Sequence, residues 1–459
     1  MVWRAPILVA ALVQLAACST PSTLQRVKVP EEPPETLEGQ GLLVATIAGN
    51  HLAASTFEKL GFSMASVEIG GAYYTNAVRE NVLVLPLKPG NYVLESLDLL
   101  RTVNDRTETR YPLQFPFQVL DGQATNLGVV ALVGQVGQPG KFWKVLVDNT
   151  SDVNAYLRAR YPKLAAGLRP ATPILASENK YADAKLLETL RRDIARDSWL
   201  TSEDPGTAQY VGGEVGTIAR LLRDSHDRVA AFDVLDSGTT SAMLSCSGDA
   251  ARFVCSSAEP ALYFVQGGKV ERRPLSVPAR HVWVHTFPPN GLVLVDEHMT
   301  IYSSNDNGAN WSKHVWYARK KPLHPLASLK FANGKGGYYV YATFNLDPLT
   351  PPVLYSDYGA ASYRAVDIPK LSAWERLVET PEGLLIGPQG SADKDNPAVV
   401  YLRPAGKPSW QPLELPGKRC VLLQREKTST ASLTVLCDSK LFSSKDGAHT
   451  WAEKVAAKP

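Results

Sequence analysis

The chain lacks an excess of charge of either sign: 48 Lys and Arg stand against 45 Asp and Glu, a formal net charge of +3 over 459 residues. So small a balance gives no footing for nucleic acid as the principal partner. Long hydrophobic runs are also lacking. Beyond the N-terminal segment no apolar stretch reaches the roughly 20 residues needed to span a bilayer. Cysteine is scarce, with five in the chain, and no two stand at Cys-x-x-Cys spacing, which argues against zinc-ribbon and thioredoxin-type sites. His-Glu-x-x-His, Gly-x-Ser-x-Gly and a phosphate-binding glycine loop are missing as well. The sequence therefore calls for no cofactor and no metal. What is abundant is turn chemistry. Its 33 Gly and 33 Pro are spread along a chain that is 44% hydrophobic, a composition of short elements joined by many turns around large cores, not of disorder, collagen or coiled coil.

Met1 to Ala17 carry one cation, Arg4, then an apolar run from Ile7 to Leu12, and end in Leu15-Ala16-Ala17-Cys18. This is the pattern of a secretory signal, too short to remain as a membrane span. Its ending resembles the bacterial lipobox, in which small residues fit the peptidase and the cysteine thiol receives a diacylglycerol. The resemblance implies that Cys18 is the lipidated first residue of a tethered protein. Ser19 follows it instead of Asp, and by likeness to Gram-negative lipoproteins this implies transfer to the outer membrane; the expected location is its periplasmic face, although Ser19 does not itself select the leaflet. Cys246, Cys255, Cys420 and Cys437 then remain, an even number in a compartment where disulfides persist. Of three formal pairings, Cys246 with Cys255 and Cys420 with Cys437 are favoured, because each closes a short loop between neighbouring strands.

Four regions follow the signal of residues 1–17. Residues 18–39, rich in Pro and Glu, read as a flexible tether. Residues 40–149 hold short β-type runs separated by turns such as Pro89-Gly90 and Asp121-Gly122, which predicts a small antiparallel sandwich. The phrases Leu87-Lys88-Pro89-Gly90-Asn91-Tyr92 and Phe117 to Gly122 resemble those of transthyretin-like modules in bacterial envelope proteins. Residues 150–205 change to helical period over Val153 to Leu168 and Ala182 to Trp199, a helical linker on which Arg191, Arg192 and Arg196 read as a solvated face.

Residues 206–459 repeat themselves. Ser304-Asn305-Asp306-Asn307-Gly308-Ala309-Asn310-Trp311 resembles the Asp box, Ser-x-Asp-x-Gly-x-Thr-Trp, of sialidase-like (BNR) propeller repeats. Ser444-Lys445-Asp446-Gly447-Ala448-His449-Thr450-Trp451 is a second copy with its glycine one place earlier. Asp and Ser can bond to the amides of a tight turn, Gly can supply a positive φ, and Trp can pack back over the hairpin. Ser304, Asp306, Gly308, Trp311, Ser444, Asp446 and Trp451 are accordingly structural. Degenerate copies run through Tyr355 and Tyr401, and Gly213 to Ile218 resembles the strand and turn of photosystem II assembly-factor repeats. Anchors at Ala219, Tyr263, Tyr302, Tyr355, Tyr401 and Phe442 lie 44, 39, 53, 46 and 41 residues apart, one four-stranded blade per interval. The expected architecture is mainly β: a transthyretin- or Ig-like sandwich, a helical linker and a six-bladed propeller.

Catalytic signals are few. A sialidase resemblance implies an arginine triad, a tyrosine nucleophile with a glutamate partner and an Arg-Ile-Pro tripeptide, and that tripeptide does not occur. The candidate binding residues are His281, Trp283, His285, Trp374, Arg376, Arg419 and Arg425, which the repeat register turns toward a central channel mouth; for each of them ordinary packing between blades is the competing role. The reading is a non-enzymatic, lipid-anchored scaffold binding an envelope protein or glycan. A propeller glycoside hydrolase or lyase, or a glycan-binding surface adhesin, is the alternative.

Overall fold

In a computed structural model, the described residues are 25–30, 33–49, 65–79, 82–100, 108–134, 142–147, 149–173, 188–193, 208–225, 229–279, 282–317, 329–342, 352–360, 362–369, 376–389, 398–418, 420–425, 433–438 and 440–454. Cys18 lies outside them. The fold is mainly β.

Ten strands, from Gln25–Lys28 to Arg169–Pro173, hydrogen-bond into one N-terminal sheet. The expectation of an antiparallel arrangement is corrected: Gly41–Gly49 and Arg169–Pro173 both run parallel to Gln123–Gly134. Gly41–Gly49 is buried on both faces. Leu43, Ala45 and Ile47 join Leu94, Leu113 and Leu127 in one core, while Leu42 and Val44 pack with helical residues in another. Two-sided burial explains why this segment is a continuous apolar run without alternation.

The tether is docked over its described part. Gln25–Lys28 pairs parallel with Ala72–Arg79, Val29 enters the core, and Glu35 meets Lys163 at 2.7 Å. Its alternation, Arg26 and Lys28 exposed with Val27 turned inward, is a two-residue strand period beside a proline-rich flank.

Helix α1 (Thr150–Arg160) buries Val153, Tyr156 and Leu157, the i, i+3, i+4 stripe of an amphipathic helix. It ends at Tyr161, and α2 (Pro162–Gly167) starts afresh with Pro at its first position, where a missing N–H costs nothing. Together they replace the single helix expected over Val153 to Leu168. Val153, Tyr156 and Leu157 share their cluster with Ala258 of the C-terminal region. Asp152 Oδ2 accepts from the N–H and hydroxyl of Thr240, at 2.7 and 2.6 Å. Arg191 was expected on a solvated face, but it is buried and donates to the carbonyls of Val215 (2.9 Å) and Thr239 (2.5 Å). Arg192 is exposed and pairs with Glu188; Arg196 lies outside the described residues.

Small meandering sheets follow in chain order. The first comprises Tyr210–Gly212, Ile218–Arg223 and Val229–Leu235, and the second Met243–Gly248, Phe253–Ser257, Ala261–Gln266 and Lys269–Pro274. The third is Val282–Phe287, Gly291–Asp296, Thr300–Ser304 and Ser312–Val315. Leu329–Asn333, Gly337–Ala342, Val353–Asp357 and Arg364–Val366 form the fourth, and Arg376–Thr380, Gly383–Gln389, Val399–Pro404 and Gln411–Glu414 the fifth. The sixth is Cys420–Arg425, Leu433–Cys437, Lys440–Ser444 and Ala452–Glu453. The first strands of the second, third, fourth and fifth sheets pack on one another in succession, which is propeller packing. Ala219, Tyr263, Tyr302, Tyr355, Tyr401 and Phe442 each sit on the corresponding strand, the third of every four-stranded sheet. The first sheet thus presents the second to fourth strands of the pattern.

Both expected disulfides are present. Cys246–Cys255 and Cys420–Cys437 join directly paired residues of the first and second strands of their sheets, with Cα atoms 4.1 and 4.0 Å apart. Gly212 of the first sheet lies against the first bridge, so close that a Cβ there would stand 2.2 Å from Cys246 Sγ. Gly212→Ala should therefore destabilise the protein by about 1–3 kcal/mol through overpacking. Gly167→Ala, with nothing within 4 Å of the added carbon, should change little. Urea titrations of both variants check this; equal midpoints would contradict the packing.

Candidate functional site

The two turns Ser304 to Trp311 and Ser444 to Trp451 have the same internal bonding. Ser304 Oγ accepts from the N–H groups of Asp306 (3.3 Å) and Gly308 (2.8 Å) and donates to Asp306 Oδ1 (2.7 Å). The Asp306 carboxylate accepts from the Asn310 backbone N–H (2.9 Å) and side-chain Nδ2 (2.7 Å). In the second turn Ser444 Oγ accepts from Asp446 and Ala448 N–H, at 3.4 and 2.9 Å, and the Asp446 carboxylate accepts from Thr450 N–H and hydroxyl, at 2.9 and 2.5 Å. The Asn310 amide thus does the work of the Thr450 hydroxyl. Both carboxyls are held down to about pKa 2, Asp306 chiefly by the Asn310 N–H and Asp446 chiefly by the Thr450 hydroxyl.

The displaced glycine has a backbone reason. Each turn needs two consecutive residues at positive φ: Asn307 (57°) and Gly308 (86°) in one, Gly447 (68°) and Ala448 (77°) in the other. Glycine fills the second place in one turn and the first in the other, and Asn307 is of a type that tolerates this region.

These turns join neighbouring sheets. Arg252, on the turn after Met243–Gly248, donates to Asn307 Oδ1 and the Gly291 carbonyl, both at 2.6 Å. Asn305 Nδ2 reaches the Gly359 carbonyl at 3.1 Å, and the Lys335 N–H reaches Glu379 at 3.2 Å. Glu382 packs against Gly447, its Cγ 2.9 Å from where a Cβ would stand. Second sheet is thereby tied to third, third to fourth, fourth to fifth and fifth to sixth. The tryptophans continue the pattern. Trp311 Nε1 donates to Ser276 Oγ (2.9 Å) and Trp410 Nε1 to the Asp367 carbonyl (3.1 Å). Trp451 Nε1 has no partner among the described residues; Pro416 stands where the repeat places Ser276.

Of the candidate binding residues, His281, Trp374 and Arg419 lie outside the described residues. Arg425 ends Cys420–Arg425, opposite Leu433. Trp283 and His285 do share a face, but that face packs onto the fourth sheet instead of lining an opening. Trp283 is buried with Phe287, Leu329 and Tyr338. His285 is 4% exposed and stacks on Phe331 at 4.9 Å. Its Nε2 lies 2.9 Å from Asn333 Oδ1 and its Nδ1 3.3 Å from Ser247 Oγ. Asn333 Oδ1 can only accept, so the ring carries its proton on Nε2 and donates to it, which leaves Nδ1 as an acceptor facing the Ser247 hydroxyl. One neutral imidazole thus bonds three consecutive first strands. The physical reason for the correction is that sheet faces in this packing meet neighbouring sheets. Arg376 is half-buried at the start of its strand, and Lys330 and Phe331 are half-buried on the first strand of the fourth sheet.

Sequence reasoning missed Ser247, Arg252, Phe331 and Asn333. Aligning the repeats by first strand, and not only by third, places Ser247, His285 and Asn333 on equivalent strands. A tyrosine, glutamate and arginine do meet, at Tyr263, Glu259 and Arg272. Tyr263 Oη donates to Glu259 Oε1, and Arg272 donates to Glu259 Oε2 at 3.1 Å. Tyr263 is fully buried, and burial and the Glu259 charge raise its pKa, so the phenol stays protonated and out of reach. Arg272 lies on the outer strand Lys269–Pro274. The trio is a packing device with none of the access a nucleophile needs.

Burial pushes the His285 pKa down to about 4. Its ring is neutral in the folded protein and takes up a proton on unfolding below about pH 6.5. Stability is complete above that value and declines as pH falls toward 4, by about 3 kcal/mol in all. His285→Gln should remove this component from the pH dependence of unfolding free energy. An unchanged slope between pH 6.5 and 4 would contradict the assignment.

No family model matches the chain, and no curated protein matches it. Among solved structures it is similar to YCF48 bound to D1 peptide, at 14% identity over 53% of this chain and 76% of that one, with a TM-score of 0.38. It is similar to the GH74 enzyme of Niastella koreensis at 12% identity over 56% and 45% of the two chains, TM-score 0.41, and to YCF48 from Cyanidioschyzon merolae at 12% over 56% and 83%, TM-score 0.38. The propeller assignment rests on the strand order and sheet packing of this chain itself.

Proposed function

We propose that the chain is a lipoprotein anchored through Cys18 at the periplasmic face of the outer membrane, and that its C-terminal region is a six-bladed propeller of sialidase-like Asp-box repeats serving as a non-enzymatic binding scaffold. The succession of small sheets, with the six anchors on equivalent strands, supports the blade count.

The observation that carries the scaffold reading is the use made of the polar side chains. Asp306, Asp446, Arg252, Glu259, Tyr263 and His285 are each hydrogen-bonded within a turn or between sheets. Side chains placed in this way hold geometry, and Tyr263, Glu259 and His285 are buried where a substrate does not reach them. A partner then meets the surface where first strands adjoin. There Phe331 offers an aromatic face and Lys330 and Arg376 offer cations, a chemistry suited to an acidic protein surface or a glycan.

The test is recovery of envelope components on a purified bait. Phe331→Ala with Arg376→Ala should lose the partner while keeping a cooperative thermal transition. Asp306→Ala should keep the partner and unfold at lower temperature. Loss of the partner by Asp306→Ala at unchanged stability would move the site to the Asp-box turns, and release of sugars from an envelope glycan by the wild-type protein would replace the scaffold with an enzyme.

A further inference from the structure

We infer that one particular end of the N-terminal domain rests on the phospholipid surface, an inference that depends on the Cys18 anchor proposed above. The first described strand begins at Gln25, which pairs with Ala72. Seven residue steps separate Cys18 from Gln25, and at no more than about 3.6 Å each they span at most about 25 Å. A diacylglyceryl group on Cys18 therefore holds Gln25 within that distance of the lipid.

Register identifies which end of the domain this is. Gln25 lies beside the Gly70-Gly71 turn, and Gly70 N–H bonds the Val93 carbonyl. Gly90 pairs with Val119 and Gly41 with Leu87. Gly122 N–H bonds the Gln40 carbonyl, and Arg169 bonds the carbonyls of Asp121 and Gly122. Turns at 39–40, 70–71, 88–90 and 120–122 thus gather at the end where the tether arrives.

The chemistry of that end fits a bilayer surface. Leu120 projects from its turn at 41% exposure, one of the few large apolar side chains so exposed among the described residues. Pro89 beside it is exposed as well. Lys88, next to Pro89, and Arg169, bonded to the Asp121 carbonyl, are exposed cations beside this apolar point, and Arg26, Glu38 and Asp121 are exposed at the same end of the sheet. An apolar tip flanked by long basic side chains enters the headgroup region while its cations meet phosphates.

The test uses the lipidated full chain on vesicles of phosphatidylethanolamine and phosphatidylglycerol doped with a nickel-chelating lipid. A nitroxide is placed at Leu120→Cys, or at Lys88→Cys should the first variant fold poorly. A reference label goes at Pro112→Cys, exposed on the strand that leads into Leu120 and about 23 Å back along it. Relaxation enhancement by the headgroup nickel should be several-fold stronger at residue 120 than at 112. Equal enhancement at both sites, in protein shown by mass spectrometry to carry lipid on Cys18, overturns the inference and leaves the anchor standing. Absence of lipid on Cys18 removes the anchor and this inference with it.

Discussion

The rest of the C-terminal structure depends on one constraint: the central strands of its small sheets are apolar on both faces and have to be covered on both. Gly291–Asp296 and Gly337–Ala342 are buried along their whole length, which no isolated four-stranded sheet achieves in water. Burial at roughly 25 cal/mol per Å² of apolar surface is available only when sheets stand side by side. Clusters that mix residues of adjacent sheets follow directly, such as Val254 and Phe264 of the second with Val284 and Leu294 of the third. Further along, Leu385 and Leu402 of the fifth pack with Leu433 and Val435 of the sixth.

Apolar packing is non-directional, so it does not by itself fix how one sheet sits on the next. The buried polar groups do. Arg252 reaches from a turn of the second sheet to the Asn307 turn of the third, and burial lowers its pKa without leaving its donors unmatched. His285 sets the spacing of three first strands through both of its nitrogens. An unmade bond at either place would cost about 1–3 kcal/mol, enough to select one alignment among several of similar apolar area. The same logic extends to the N-terminal region, where Asp152 and Arg191 satisfy an N–H, a hydroxyl and two carbonyls in loops of the first sheet. The segment between the two regions is therefore part of the packing as well as a connection.

The third strands were legible in the sequence because each combines an aromatic with a turn of restricted chemistry; Ile301-Tyr302-Ser303 and Leu441-Phe442-Ser443 are recognisable from their residues alone. The disulfides were legible for the same reason, since short loops between paired strands leave little freedom. First strands were not. His285 and Trp283 alternate with valines, and alternation shows which residues share a face without showing what that face meets. Arg191 looked solvated because a helical period records only the helix, and its partners are backbone carbonyls some 24 and 48 residues away. Val27 was obscured by the prolines after it, although its neighbours alternate as a strand does.

The central claim is that the turns at Asp306 and Asp446 act as joints between sheets. The most direct measurement is a double-mutant cycle on Arg252→Ala and Asn307→Ala, read by equilibrium unfolding, because these two residues meet across the boundary between second and third sheets. A joint predicts a coupling of about 1 kcal/mol or more, the range of residues sharing one hydrogen-bonded network. Additivity within about 0.3 kcal/mol would mean that the turn and its neighbour are energetically independent, and would contradict it.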